Sequence, residues 1–258
     1  MKNLKYFPVF LIVFLISCSD DEELPSQSVT IQPGVVISFD DDYVNEWFEA
    51  NTILQDYDWK ATFFITRFNQ LTTDEIEKLI NLKNQGHEIG GHGLNHLNAV
   101  TYISQYGTID YLNEEINPMM DIMNEATLLP TSFAYPFGAR NATTDNLLLN
   151  EFQMIRGTTY NSYSPASQNC YFTNNRLVLG LGIDSNYPHF SIPYFISLLN
   201  YAKNNNRVVV FYAHKPVENV QNNYETKYET LMEICNFVKQ NNMKFYTMSE
   251  LYYLRNNN

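Results

Sequence analysis

The chain has 258 residues, 45% of them hydrophobic and 17% charged, a balance that supports a buried core and excludes a disordered acidic tail. A formal net charge of −12 excludes a surface built for nucleic acid or other polyanions, and three cysteines exclude a disulfide scaffold or a multi-cysteine zinc ribbon. No internal period stands out, no apolar run is long enough for a central membrane span, and the length permits one large α/β domain or two small ones.

In chain order, Lys2 and Lys5 precede a mostly apolar run from Tyr6 to Ile16, too short to cross a bilayer and the right length for a signal-peptide core. The run closes on Leu15-Ile16-Ser17-Cys18, which resembles a bacterial lipobox. This predicts a lipoprotein signal peptide over 1–17, a lipidated Cys18, and a tether over 18–33. An ordinary secretory signal is the plainer alternative. The tether carries Asp20-Asp21-Glu22-Glu23, similar to the export signal of some Gram-negative surface lipoproteins and also suited to a solvated spacer. The expected location is therefore exported and lipid-anchored in the cell envelope, at the outer membrane or the cell surface. Of the remaining cysteines, Cys235 lies on the apolar stripe of a predicted helix and is expected to be a buried free thiol.

From residue 34 to 258 a single domain is predicted, in which short apolar runs alternate with amphipathic helices. Strands are expected at Val35–Phe39, Ala61–Thr66, His87–Gly90, Ser132–Tyr135, Met154–Thr158, Leu177–Ile183, Arg207–Tyr212 and Lys244–Met248. Thr72 and Glu75 form a capping box that opens a helix stopped by Gly86. Further helices are predicted over about 108–126, interrupted at Pro118, after Ser191, over the Tyr228–Val238 stripe, and after Ser249 at the chain's end. This order predicts an α/β fold with a parallel sheet or barrel covered by helices.

Reactive groups cluster where predicted strands end. Asp40-Asp41-Asp42 closes the first strand, and three adjacent carboxylates need a cation or solvent. The third strand runs into Gly90-Gly91-His92-Gly93-Leu94-Asn95-His96, whose two imidazoles are expected on one side of a helical turn. Two imidazoles and a carboxylate make a three-ligand set with an open position, the pattern of a catalytic zinc. Tyr135-Pro136-Phe137-Gly138 forms a turn whose Phe137 amide is placed to meet a ligand, and His214 follows the buried strand at 207–212 as a candidate acid or base.

Taken in order, Ser38-Phe39-Asp40-Asp41, His92-x-x-x-His96, Tyr135-Pro136-Phe137-Gly138 and Tyr212-Ala213-His214 resemble the polysaccharide deacetylase family, also called the NodB-homology or fourth carbohydrate esterase family. The resemblance spans about residues 34–254. It implies a distorted, incomplete (β/α) barrel and one divalent metal, Zn²⁺ ahead of Co²⁺, Ni²⁺ or Mn²⁺. By resemblance, Asp40 is the base, Asp41, His92 and His96 are the metal ligands, His214 is the general acid, and Phe137, with Tyr135, serves the oxyanion and substrate. The expected substrate is an acetylated polysaccharide or oligosaccharide, with an N-acetyl amide ahead of an O-acetyl ester.

Two departures stand out. The family's third motif usually has an arginine, paired with the base, two residues before its proline; that position is Ala134 here, and Arg140 and Arg67 are the candidates to replace it. The fourth motif's aspartate and tryptophan reduce to Asp184, the expected support of His214, with no tryptophan nearby. These departures keep open a catalytically silent glycan-binding lipoprotein on the same fold. A phosphoesterase is a weaker alternative, because the chain lacks a basic pocket signal and the extra ligands of a two-metal centre.

Overall fold

Strand β1 (Gly34–Asp41) is buried along almost its whole length, which is why its sequence reads as an apolar run instead of an alternation. In the computed structural model, which describes Met1 and residues 31–255, this strand is the hub of the sheet. The predicted signal peptide, Cys18 and all but the end of the tether lie outside the described residues.

After β1 come α1 (Val44–Leu54), β2 (Thr62–Ile65), α2 (Thr73–Asn84) and β3 (Glu88–Gly91). Then follow α3 (Ala99–Tyr106), α4 (Thr108–Tyr111), a π-helical turn (Leu112–Ile116) and α5 (Asn117–Glu125). The second half holds β4 (Ser132–Ala134), α6 (Ala142–Glu151), β5 (Met154–Thr159), β6 (Leu177–Gly182), α7 (Ile192–Asn204) and β7 (Val208–Ala213). A short parallel pair, β8 (Lys215–Val217) and β9 (Glu225–Lys227), precedes α8 (Tyr228–Gln240), β10 (Lys244–Tyr246) and α9 (Met248–Arg255).

Strands β1 to β7 are parallel neighbours in sequence order, and β7 pairs back onto β1 through Gly34↔Val208 to Phe39↔Ala213, closing a seven-stranded barrel. Strand β10 pairs with Gly34–Val36, beneath the Ser38–Asp41 stretch that takes β2 on the same edge of β1. The closure is uneven, since β3 and β4 share the single pair Gly91↔Phe133. The fold is thus the distorted (β/α) barrel expected from the sequence.

Alternation along the strands sorts two cores. Val35, Ile37 and Phe39 face the helices together with Phe63, Val209 and Phe211, and Phe63 lies between Phe39 and Trp47 at ring separations of 5.5 and 5.3 Å. Val36, Phe64, Ala134, Met154, Val208 and Val210 form a second, smaller cluster inside the barrel. Cys170 and Cys235 are both buried free thiols, and burial pushes both thiols up. Among the described residues no helix is long and apolar enough to cross a membrane.

The Thr72–Glu75 capping box opens α2 as the spacing predicts. The expected helix over 108–126 is instead two helices joined by a π turn, with Pro118 tolerated in the first turn of α5, where its missing N–H costs nothing. The last helix is opened by Thr247 instead of Ser249: the Thr247 amide donates to Glu250 Oε2, and the Glu250 amide returns to Thr247 Oγ1. Phe63→Ala should destabilise the domain by about 3–5 kcal/mol through loss of a buried aromatic. Denaturant unfolding of the variant checks this, and a loss under 1 kcal/mol would remove Phe63 from the core.

Candidate metal centre and active site

The three aspartates ending β1 have three separate fates. Asp40 follows Val36 and Ser38 at alternate positions and points into the barrel, where Oδ2 accepts from Arg156 Nη2. Asp41 bends away in a left-handed conformation (φ 83°) toward the loop after β3. Asp42 pairs with Arg67 at 3.3 Å on the surface, so Arg67 is not the partner of Asp40.

The histidines reach Asp41 from a loop, not from the helical turn expected from their spacing; Gly93 (φ 81°) and His96 (φ 60°) both take left-handed backbone there. His92 Nε2 lies 3.7 Å and His96 Nε2 3.3 Å from Asp41 Oδ1, and the three potential ligand atoms fall within 4.8 Å of one another. The Ala134 carbonyl can only accept, so the His92 Nδ1 contact to it at 2.8 Å puts the ring proton on Nδ1 and frees Nε2. Burial holds the His92 imidazole down, to about 4. Burial alone would raise the Asp41 carboxyl, but the His96 hydrogen bond and the surrounding imidazoles hold it at about 2. At neutral pH the trio therefore includes a neutral imidazole and an ionised carboxylate, the forms a metal ligand needs.

Opposite, His214 Nδ1 meets Asp184 Oδ2 at 2.7 Å, and the His214 amide donates to Asp184 Oδ1 at 3.1 Å. Thr226 Oγ1 holds the same Asp184 oxygen at 2.7 Å. Burial would lower the His214 imidazole, but the bond and charge of Asp184, with Asp40 and Asp41 behind it, carry it above its ordinary value. A tryptophan does support this histidine, from an unexpected place: Trp47 Nε1 on α1 donates to the His214 carbonyl at 2.9 Å.

Arg156 is the residue that sequence reasoning missed. It is 0% exposed on β5, and its register partner on β4 is Ala134, the position where the arginine was expected. The guanidinium beside Asp40 thus comes from β5, the strand next to the one that carries Ala134. Room for it comes from the missing side chain at Gly180, where a Cβ would sit 3.2 Å from Arg156 Cδ. It lies 4.7 Å over the Tyr212 ring. Asp40 lines the cavity, and its Oδ1 is buried without a hydrogen-bond partner.

Two expectations are corrected. Arg140 does not support the catalytic groups: its Nε donates to Asp145 Oδ1 at 2.9 Å, five residues along the chain, and Nη2 bonds to Oδ2. Tyr135 does not line the cavity either. It lies on the outward face of the strand, buried, with its hydroxyl donating to the same Asp145 at 3.0 Å. Phe137 does reach the cavity, in a turn held by Gly138 N–H to Tyr135 O (2.9 Å) and Ala139 N–H to Pro136 O (3.1 Å). Gly138 (φ 63°) is required in that turn, since a Cβ would meet Thr158 Oγ1 at 2.1 Å.

Asp40, Asp41, His92, His96, Phe137 and His214 line one cavity of about 320 Å³. Its rim carries three exposed rings: Phe137 (65% exposed) against His96 at 4.5 Å, Tyr224 (48%) against His214 at 5.0 Å, and Tyr160. Phe137 and Tyr224 both hold φ at 60°, which a bulky side chain rarely adopts.

Carboxylates and imidazoles gathered at the C-terminal ends of parallel barrel strands stand where barrel enzymes hold their active sites. The family model for polysaccharide deacetylase, a family of hydrolases, matches residues 28–153. The match ends before His214, which lines the same cavity, and before Arg156 and Asp184, which lie buried behind it and pair with Asp40 and His214. No curated relative matches the sequence. Among solved structures, the Xyl-CE4 domain of a multidomain xylanase from the hindgut metagenome of Trinervitermes trinervoides is alike in fold at 17% identity, with a TM-score of 0.56 over 86% of this chain and 90% of that one. The chitin deacetylase of Colletotrichum lindemuthianum follows at 15% identity and 0.55, over 86% and 88%. A family 4 acetyl xylan esterase from Clostridium thermocellum, solved with a cobalt ion, has 19% identity and 0.55, over 85% and 90%.

Asp184→Asn should lower the titration midpoint of His214, read by NMR of its ring. Because the folded value is raised, its stabilising contribution is complete below the unfolded value of about 6.5 and disappears as pH rises through the folded value. An unchanged midpoint in the variant would show that Asp184 does not set the proton affinity of His214.

Proposed function

We propose that the domain is a divalent-metal-dependent deacetylase of an acetylated polysaccharide or oligosaccharide, acting on an N-acetyl amide ahead of an O-acetyl ester. The observation that carries this reading is one cavity lined by the Asp41–His92–His96 set, the Arg156-paired Asp40 and the Asp184-paired His214. The donor set fits a single cation: two imidazoles, one with its tautomer fixed, and one ionised carboxylate suit Zn²⁺ and also accept Co²⁺, Ni²⁺ or Mn²⁺. Bound there, the cation would act as a Lewis acid on the acetyl carbonyl and make water more acidic.

The chain's own groups do the rest. Asp40 takes the proton of the attacking water on its free Oδ1 while Arg156 anchors Oδ2 and balances the buried charge. The Phe137 amide donates to the developing oxyanion. His214, with Nδ1–H on Asp184, gives a proton from Nε2 to the leaving group. A raised His214 favours the protonated form, which matters most for an amide, because an unprotonated amine leaves poorly. With Arg156 beside Asp40, the silent-fold alternative loses the argument it drew from Ala134.

The exposed rings of Phe137, beside His96, and Tyr224, beside His214, suit stacking on pyranose faces. The chitin deacetylase and acetyl xylan esterase among the structural neighbours agree with an acetylated glycan without choosing between the two linkages. Export and anchoring through a lipid on Cys18 belong to the same proposal. The chain enters the domain at Gly34, the far end of β1 from Asp41, so a tethered domain would turn its cavity away from the membrane.

The purified domain should release acetate from N-acetylated oligosaccharides, lose this on chelation and regain it with Zn²⁺ or Co²⁺. Assays on chito-oligosaccharide, poly-acetylglucosamine, peptidoglycan and acetylated xylan test this side by side, and metal-loaded protein silent on all four would refute the enzyme reading. Asp40→Asn should keep its metal and lose about 10²–10⁴-fold in kcat, whereas Asp41→Ala should lose the metal itself. Elemental analysis beside the rate assay separates the two. Phe137→Ala and Tyr224→Ala should each raise KM roughly tenfold with kcat little changed; a loss confined to kcat would argue against stacking.

A further inference from the structure

The two histidines are held by different parts of the fold. His92 is fixed by the sheet: its amide donates to Ile65 O at 2.9 Å and its ring to Ala134 O. His96 lies beyond β3 in a loop with left-handed backbone, and its ring meets Asp41 and Phe137 inside the cavity. What holds that loop is Glu115, fully buried in the π-helical turn.

Glu115 forms no ion pair with a lysine, arginine or histidine among the described residues. Its carboxylate is spent on the loop. Oε2 accepts from Asn95 N at 2.8 Å and Asn95 Nδ2 at 3.1 Å, Oε1 accepts from Leu97 N at 2.8 Å, and the Glu115 carbonyl accepts from Leu94 N at 3.2 Å. The residues on both sides of His96 are therefore tied to one side chain. Gly93 makes the approach possible, since a Cβ there would sit 2.2 Å from Glu115 Oε1. The π turn belongs to the same device, because an extra residue in a helix re-aims the side chains it carries.

We propose that Glu115 is the positioning residue of the metal centre: it holds the His96 loop in its strained conformation, so that Nε2 faces Asp41 and His92 before any cation arrives. This rests on the metal reading above. Both carboxylate oxygens accept backbone N–H groups, so Glu115→Gln must leave one of those groups facing an NH₂. Outer groups that orient a ligand are typically worth 10–100-fold in metal affinity.

The test uses the full chain, stripped by a chelator and titrated with cobalt(II) alone, followed by its visible ligand-field absorption. Wild-type protein should take up one equivalent. Glu115→Gln should bind about 10–100-fold more weakly with an altered band, and excess cobalt should restore most of kcat. Asn95→Ala, an exposed substitution that removes one contact to Glu115, should fold normally and lose affinity by a few-fold, which decides the matter if Glu115→Gln does not fold. Wild-type-like affinity and spectrum in these variants, with a lowered melting temperature at most, would make Glu115 merely structural and overturn the inference alone. A wild type that takes up no cobalt would overturn the metal reading and this inference with it.

Discussion

Asp40 and Asp41 are adjacent carboxylates at the end of a buried strand. Two such charges 4 Å apart repel by about 4 kcal/mol at the effective dielectric near a protein surface. The fold resolves this by parting them. The pleat sends Asp40 inward to the Arg156 guanidinium, and the left-handed backbone at Asp41 turns that side chain outward to two imidazoles. Each charge then has its own partner, and the two carboxylates are free to take different roles within one cavity.

Much of this was legible in the sequence. The apolar run from Val35 to Phe39 and the capping box at Thr72 are local signals, and the structure contains both. The ordered recurrence of aspartates, histidines and a Pro-Phe-Gly turn at strand ends pointed to one cavity, and Asp40, Asp41, His92, His96, Phe137 and His214 do line it. The closure of β7 onto β1 had no local signature, because barrel and open sheet share the same alternation of elements.

The parts that were hidden depend on long-range register. Arg140 was the nearest arginine in sequence, but Asp145 five residues on satisfies it locally and also claims the Tyr135 hydroxyl. The signal that was present is Met154-Ile155-Arg156-Gly157: a charged residue in a strand buried on both faces must have a buried partner. Only the pairing of β4 with β5 identifies that partner as Asp40. Trp47 was hidden in the same way, 167 residues from the His214 carbonyl it binds. The spacing of the histidine pair suits one helical turn, whereas the surrounding glycines supply the freedom for the loop that forms.

The Ala134↔Arg156 register has a broader meaning. What the reaction centre retains is a cation at one point inside the barrel, and the lattice of strands lets that ion be supplied from either of two adjoining staves. A comparison made column by column would score this chain as having lost its arginine. Measured in space, the positive charge stands beside Asp40, reached by a covalent path through β5.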